Sequence, residues 1–385
     1  MKKTYHNNKN GKACWTRPLV TLLSAGVLLA GGLPGAAEAA KSQKLTAGNE
    51  YLLVTNYPNN LHVLDLKTET LLKTCQLPDA FGPGTVVTSP DNSTAYILNN
   101  HYEDIYGVNL DSCELVFTAR QSSGNERVKS IFSLAVSSDG KELYTVQNPT
   151  LLNKDHYRVQ QPRLAVYKTN AGLDAKPIRT LPAPRQISVM SVLDGTLLMA
   201  GEDFYSFDVN SGKKEVVLTN RNWQRPLYAP PDVLNVWPMD TPSHEFLSLY
   251  TTARFQDKSM NMDTADWIYG FHTIDLKTGK AESLDFGPIT EIYFTGMRNP
   301  TDKNQVFGVL NRLAKYDLNK KELIKAAELD HSYYCIAMNH SGSKVYLTGT
   351  YNEVAIFDSE TLEQTNSIQL PGGDMAITTA QVIRR

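Results

Sequence analysis

No CxxC pair and no CxxCH motif occur anywhere in the sequence, so the chain cannot carry a c-type haem by the usual attachment. There is no GxSxG elbow and no HExxH helix signature. The Gly82-Pro83-Gly84 run lacks the third glycine and the following helix that a phosphate cradle needs. Lys277-Thr278-Gly279 matches a β-lactamase fragment, but it sits at a hairpin without the partner motifs and reads as turn chemistry. The histidines beyond the N-terminal segment (His62, His101, His156, His244, His272, His331 and His340) are scattered, with no pair at ligand spacing. Each is expected as a loop or strand residue, although distant blades of one fold can still assemble a site. Carboxylates such as Asp79, Asp104 and Asp374 leave calcium open, with nothing specific in favour of it. No residue pattern supports catalysis by this chain alone.

A strong charge of either sign is also missing: 38 basic side chains face 40 acidic ones. No basic stretch interleaved with aromatics appears, which argues against nucleic acid as a partner. Long apolar runs are confined to the N-terminus, where Lys2, Lys3, Lys9, Lys12 and Arg17 precede an apolar run over residues 19–33 and then Ala37-Glu38-Ala39. That order reads as a secretory signal spanning residues 1–39. The alternative, an uncleaved anchor, requires a longer apolar run than this one. Cleavage after Ala39 removes five basic and one acidic side chain, leaving 33 basic and 39 acidic, a net of −6. The remaining chain, residues 40–385, is expected to be one exported, soluble domain.

Only four cysteines are present, and Cys14 leaves with the signal. Cys75 falls in an outer strand of the first repeat and Cys113 in a turn of the second, so a bridge stapling neighbouring repeats is expected in an oxidising compartment. Cys335 follows Tyr333-Tyr334 and is expected to pack as a small buried hydrophobe.

What the sequence does contain is a repeat. A strand opens at Tyr51, Ala95, Leu143, Leu197, Phe246, Val306 and Val345. Periods of this size built from strands alone predict an all-β, seven-bladed β-propeller. Turn signals recur at two places in each unit. Examples are Ser138-Asp139-Gly140-Lys141 at the first and Asn210-Ser211-Gly212-Lys213 at the second. Six or eight blades would need a unit merged or missed, most readily between residues 220 and 300. The C-terminal stretch, residues 376–383, has no strand partner of its own unit. It is expected to enter the first blade beside the strand at Tyr51, closing the ring and covering an open edge.

The short hairpin turns lie on one face. The opposite face receives the longer connections, expected as loops over residues 148–162, 220–232 and 251–267. Long loops on a rigid scaffold are where function collects. His101, Tyr102, His156, Trp223, Tyr228 and Trp267 are therefore the candidates for a partner surface or the wall of a substrate pocket. In ring order, Trp223, Tyr228 and Trp267 are expected near the 99–104 connection. The plainer alternative is that these rings only cover blade edges.

Several segments resemble the β subunit of quinohemoprotein amine dehydrogenase. Val54-Thr55-Asn56 with Pro58-Asn59-Asn60 is similar to a YVTN-type propeller repeat. More specific are Asn56-Tyr57-Pro58-Asn59-Asn60-Leu61-His62-Val63, Phe81-Gly82-Pro83-Gly84-Thr85 and Leu98-Asn99-Asn100-His101-Tyr102. To these add Ala175-Lys176-Pro177, Glu291 with Tyr293-Phe294-Thr295-Gly296, the 308–317 segment and Leu370-Pro371-Gly372-Gly373-Asp374-Met375. The likeness runs over essentially all of residues 40–385, and Cys75, Cys113 and Cys335 fall where that family has cysteines. It implies a periplasmic heterotrimer that oxidises primary amines to aldehyde and ammonia. In such a complex the α subunit is a dihaem cytochrome c and a small γ subunit carries cysteine tryptophylquinone. The β subunit is a propeller with no prosthetic group, so the resemblance places no catalytic, cofactor-binding or metal residue on this chain. Two other readings stay open. One is the heavy subunit of a tryptophan tryptophylquinone amine dehydrogenase; the other is a freestanding periplasmic binding or lactonase-like propeller.

Overall fold

The computed structural model describes residues 43–79, 82–193, 195–233, 244–375 and 380–385. The expected signal lies outside the described residues. Seven antiparallel sheets form a ring, six of four strands and one enlarged to six. The seven repeat strands begin at Glu50, Thr94, Glu142, Thr196, Glu245, Gln305 and Lys344. Each start lies one residue before the position read from the sequence, because the apolar pattern marks the first buried side chain and the backbone pairing begins one residue earlier. Among the described residues the only helical element is a single 3-10 turn, Met262–Thr264, and no helix is long and apolar enough to cross a membrane.

The ring closes in the first blade. Gln381–Arg384 pairs with Glu50–Asn56, setting Tyr51 opposite Ile383 and Leu52 opposite Val382. Residues 376–379, the start of the expected closing strand, lie outside the described residues. Burial explains why the ring holds. Strand side chains alternate between the two surfaces of each sheet, and both surfaces are packed against neighbouring blades. Tyr51, Leu53, Leu61 and Val63 of blade 1 meet Val86, Ala95, Ile97 and Tyr106 of blade 2 in one fully buried cluster.

One turn is repeated around the ring with the same chemistry. Between the third and outer strands an Asp or Asn accepts backbone N–H bonds from residues two and three ahead. Asp65, Asn109, Asp208, Asp275 and Asp358 all do so. These bonds favour the ionised form, and they hold Asp208, Asp275 and Asp358 below the ordinary carboxylate range. The turn ends on a residue with positive φ: Gly212 and Gly279 in two blades, and Cys113 (φ 61) in the second. Cys113 is joined there to Cys75 in the outer strand Thr70–Gln76, with Cα atoms 5.2 Å apart. Cys335 is buried at the start of the inner strand Cys335–Met338, where burial pushes its thiol up.

Candidate functional site

The connections between second and third strands, and between successive blades, all emerge on the face opposite those turns. Two of the three expected loops are instead extended strand pairs. Glu142–Leu152 continues out of blade 3 and pairs with Glu126–Lys129 on one side and Tyr157–Val159 on the other. In blade 5, Glu245–Arg254 and Asp266–Asp275 stay paired to their tips, with Arg254 opposite Asp266. Apolar residues stand side by side at Leu151-Leu152 and Trp267-Ile268-Tyr269, so no period-2 alternation marks these strand pairs in the sequence.

This face is also the apolar one. Among the described residues, fifteen large apolar side chains are exposed. Five of these, Val116, Leu173, Ile178, Val216 and Ile324, lie on or beside outer strands, Leu173 bridging Thr118 of the strand Leu115–Arg120. The other ten are on the insertion face. Blades 1 to 3 contribute Tyr57, Ile131, Leu152, Tyr157 and Val159 to it. Blades 5 to 7 and their links contribute Met260, Met262, Trp267, Ile292 and Tyr351. Tyr157 is 76% exposed and Trp267 50% exposed.

The sequence-selected residues do not form one site. Residues 100–102 each have positive φ, so the 99–104 connection is a tight left-handed turn. His101 is exposed on it, while the Tyr102 ring packs on Phe132 at 5.2 Å. A Cβ at Gly84 would lie 2.5 Å from the Tyr102 ring, and one at Gly82 would lie 2.5 Å from Tyr57. The Gly82-Pro83-Gly84 run therefore makes room for two tyrosines. His156 stands at the tip of the blade 3 hairpin, its Nδ1 2.7 Å from Asp155 and its Nε2 3.0 Å from Asn153. Trp223, Tyr228 and Trp267 belong to blade 5 and the link into it, with blades 3 and 4 between them and Tyr102. The expected proximity to the 99–104 connection is not found, because the ring separates the blades that sequence order only counts.

Trp223 and Tyr228 do meet. Arg225 lies over the Trp223 ring at 4.7 Å and the Tyr228 ring at 3.9 Å, and forks Asp285 with two bonds of 3.0 Å. The Tyr228 hydroxyl donates to Asp285 at 2.8 Å and the Tyr250 hydroxyl at 2.7 Å. Burial pushes the Asp285 carboxyl up, but these four bonds outweigh it and hold its pKa below the ordinary value. Trp223 is buried, and its ring packs against Tyr250 and His272. His272 is itself buried, with its pKa lowered to about 4 by desolvation and the nearby Arg225 charge. The 220–232 connection is thus pinned to blade 5 and is not a free loop. For Trp223 and Tyr228 the edge-covering alternative is the one observed. Trp267 is different: with Arg254, Asp266, Asp285, Ile289 and Lys321 it lines an open cavity of about 570 Å³ at the rim between blades 5 and 6.

Of the carboxylates left open for calcium, Asp79 and Asp104 come together, both accepting from the Tyr106 hydroxyl, with Arg120 3.7 Å from Asp79. Asp374 is elsewhere, its carbonyl bonded to the Tyr57 N–H.

A second cluster escaped the sequence reading. His331, in the link from blade 6 to blade 7, places Nε2 2.7 Å from Glu353 Oε1 and 3.8 Å from Asp330 Oδ1. The Tyr333 hydroxyl donates to the same Glu353 oxygen at 2.6 Å. Burial pushes the Glu353 carboxyl up, and the bonds from Tyr333, His331 and Ser367 outweigh that, lowering its pKa. Glu353 is 22 residues from His331, so no spacing rule links them. The only sequence signal was the adjacent pair Asp330-His331.

No protein-family model matches this chain, and no curated protein matches it. Solved structures do. The chain is similar to Kuenenia stuttgartiensis hydrazine synthase with TM-score 0.54 and 12% identity, covering 88% of this chain and 100% of that one. The dihydro-heme d1 dehydrogenase NirN, solved in complex with DHE, follows at TM-score 0.53 and 12% identity, over 88% of this chain and 76% of that one. Apo AztD from Citrobacter koseri gives TM-score 0.51 and 9% identity, over 88% of this chain and 98% of that one. At these identities the likeness establishes the seven-bladed β-propeller, and only the fold.

Proposed function

We propose that this chain is the β subunit of a periplasmic quinohemoprotein amine dehydrogenase. The holoenzyme oxidatively deaminates primary amines to aldehyde and ammonia. Dihaem c on an α subunit and cysteine tryptophylquinone on a γ subunit supply the redox chemistry, and this chain carries no prosthetic group. Its part is to dock and shield the quinone-bearing subunit and to wall the approach to it. The observation that supports this reading is the asymmetry of the ring: among the described residues, ten exposed large apolar side chains lie on the insertion face and none on the turn face. Exposed apolar side chains collected on one face of a globular protein favour an interface there. The segment resemblances running from Asn56 to Met375 support this assembly as the one that interface serves.

The test is mass analysis of the native complex purified through this chain, with haem staining of the separated subunits. Three subunits are expected, this one unstained, a larger one stained, and a small one with quinone absorbance. A haem-free partner would indicate the tryptophan tryptophylquinone class instead. A solitary chain, or one that turns over amines with an artificial acceptor on its own, would refute the proposal.

A further inference from the structure

We propose that Asp330, His331 and Glu353 form a binding site for a divalent transition-metal cation on the insertion face. This inference is independent of the function proposed above. The three side chains each present one donor atom, and these atoms all lie within 4.8 Å of one another.

The hydrogen bonding around the histidine fixes what Nε2 faces. Its Nδ1 lies 2.9 Å from the Ser332 carbonyl oxygen, which can only accept, so Nδ1 carries the ring proton. Nε2 then turns towards two carboxylates, Glu353 at 2.7 Å and Asp330 at 3.8 Å. A bare lone pair facing two anions is unfavourable, so the position calls for a positive charge, met either by a second proton or by a metal ion. The surroundings have the anatomy of a metal site. A ligating imidazole typically donates its other N–H to a backbone carbonyl, and ligating carboxylates are themselves hydrogen-bonded. Here the remote oxygen of Glu353 accepts from Ser367 at 3.0 Å and Gln369 at 2.7 Å, while Oε1 faces the histidine and also accepts from the Tyr333 hydroxyl at 2.6 Å. The His331 ring packs between Tyr333, tilted by 32° at 4.1 Å, and Tyr351, edge-on at 4.6 Å.

The spacing is close to what an ion needs. With bonds of about 2.0–2.1 Å to imidazole and carboxylate, donors around a tetrahedral ion stand about 3.3 Å apart. The glutamate must open, and the aspartate close, by a fraction of an ångström. Asp330 is exposed, with Oδ1 accepting from the His331 backbone N–H at 3.0 Å, so it must turn on that bond to reach an ion, and water takes the remaining coordination position. One imidazole with two carboxylates suits zinc and its neighbours better than magnesium, which prefers oxygen ligands alone.

The test is calorimetric titration of the full mature chain with Zn²⁺, with Mg²⁺ in parallel. One equivalent of Zn²⁺ is expected, with no comparable Mg²⁺ binding. Asp330→Asn is expected to weaken the Zn²⁺ affinity at least about tenfold, and Ser367→Ala, acting only through Glu353, by a similar factor. His331→Ala should abolish the stoichiometric phase, while His156→Ala, at the exposed hairpin tip, should leave it unchanged. Because Asp330 is exposed, Asp330→Asn keeps the test decisive even where His331→Ala fails to fold. The proposal is overturned if no stoichiometric Zn²⁺ binding occurs, if binding survives both Asp330→Asn and His331→Ala, or if Mg²⁺ binds equally well.

Discussion

The two faces of this ring follow opposite rules. On the turn face one device recurs from blade to blade: an Asp or Asn caps the third-to-outer turn, and a residue with positive φ closes it. On the insertion face the described connections differ in kind. One is a left-handed turn, one an extended three-stranded hairpin, one a link pinned by Arg225, and one the His331 cluster. Repetition satisfies backbone groups at low cost in chain length, whereas variation supplies shape and chemistry. The proposed function builds on this difference, placing stability on one face and recognition on the other.

The largest expected effect is on the turn face. The disulfide closes a segment of sequence separation 38 and ties blade 1 to blade 2. Replacing both Cys75 and Cys113 with Ser should cost about 4 kcal/mol in the chain-entropy limit, read as a lower urea midpoint. An unchanged midpoint would mean that packing alone holds these blades together.

The Arg225–Asp285 pair tests whether the insertion face also bears stability. Asp285→Ala strands a partly buried guanidinium and two tyrosine hydroxyls, for an expected loss of about 3 kcal/mol. Hydrogen exchange should show the 220–232 link loosening while blades 1 and 2 stay protected. Uniform loosening would erase the distinction between the faces at this point.

Acid should act next. His62 and His272 are buried with pKa values lowered to about 4, chiefly by desolvation. Above pH 6.5 neither the folded nor the unfolded chain holds these protons, and nothing is lost. As pH falls from 6.5 towards 4 the unfolded chain is protonated first, so stability declines, by about 2 to 3 kcal/mol per histidine at pH 4.5. Urea midpoints at pH 7 and pH 4.5 measure this. His272→Phe should flatten the decline, and an unaltered slope would show that His272 is not responsible for its share.

The smallest free energy concerns docking. Tyr157→Glu and Trp267→Glu should each weaken association with the proposed partner subunits about 5- to 30-fold, while Leu173→Glu, beside the outer strand of blade 2, leaves it unchanged. Equal losses from all three would remove the assignment of recognition to one face.

Much of this was legible from residue pattern. Apolar alternation with polar turns marked each blade to within one residue, from Glu50 to Lys344, because strand burial and turn chemistry are local. Trp223 was misread as surface because an aromatic in a long connection looks the same whether it faces solvent or a neighbouring blade. Its burial depends on Tyr250 and His272, which lie 27 and 49 residues further on. The 251–267 insertion reads as a loop because no alternation marks it, and only the folded ring sets Arg254 opposite Asp266.

By itself the sequence determined the number of blades, the turn devices and the closing of the ring by the C-terminal strand, since all of these follow from short-range periodicity. Tertiary structure alone decided which polar groups meet. Asp285 is joined by Arg225, Tyr228 and Tyr250, and His331 by Glu353 and Tyr333, because a ring folds distant segments side by side. The energies that hold such groups depend on distance in space, which residue order does not encode.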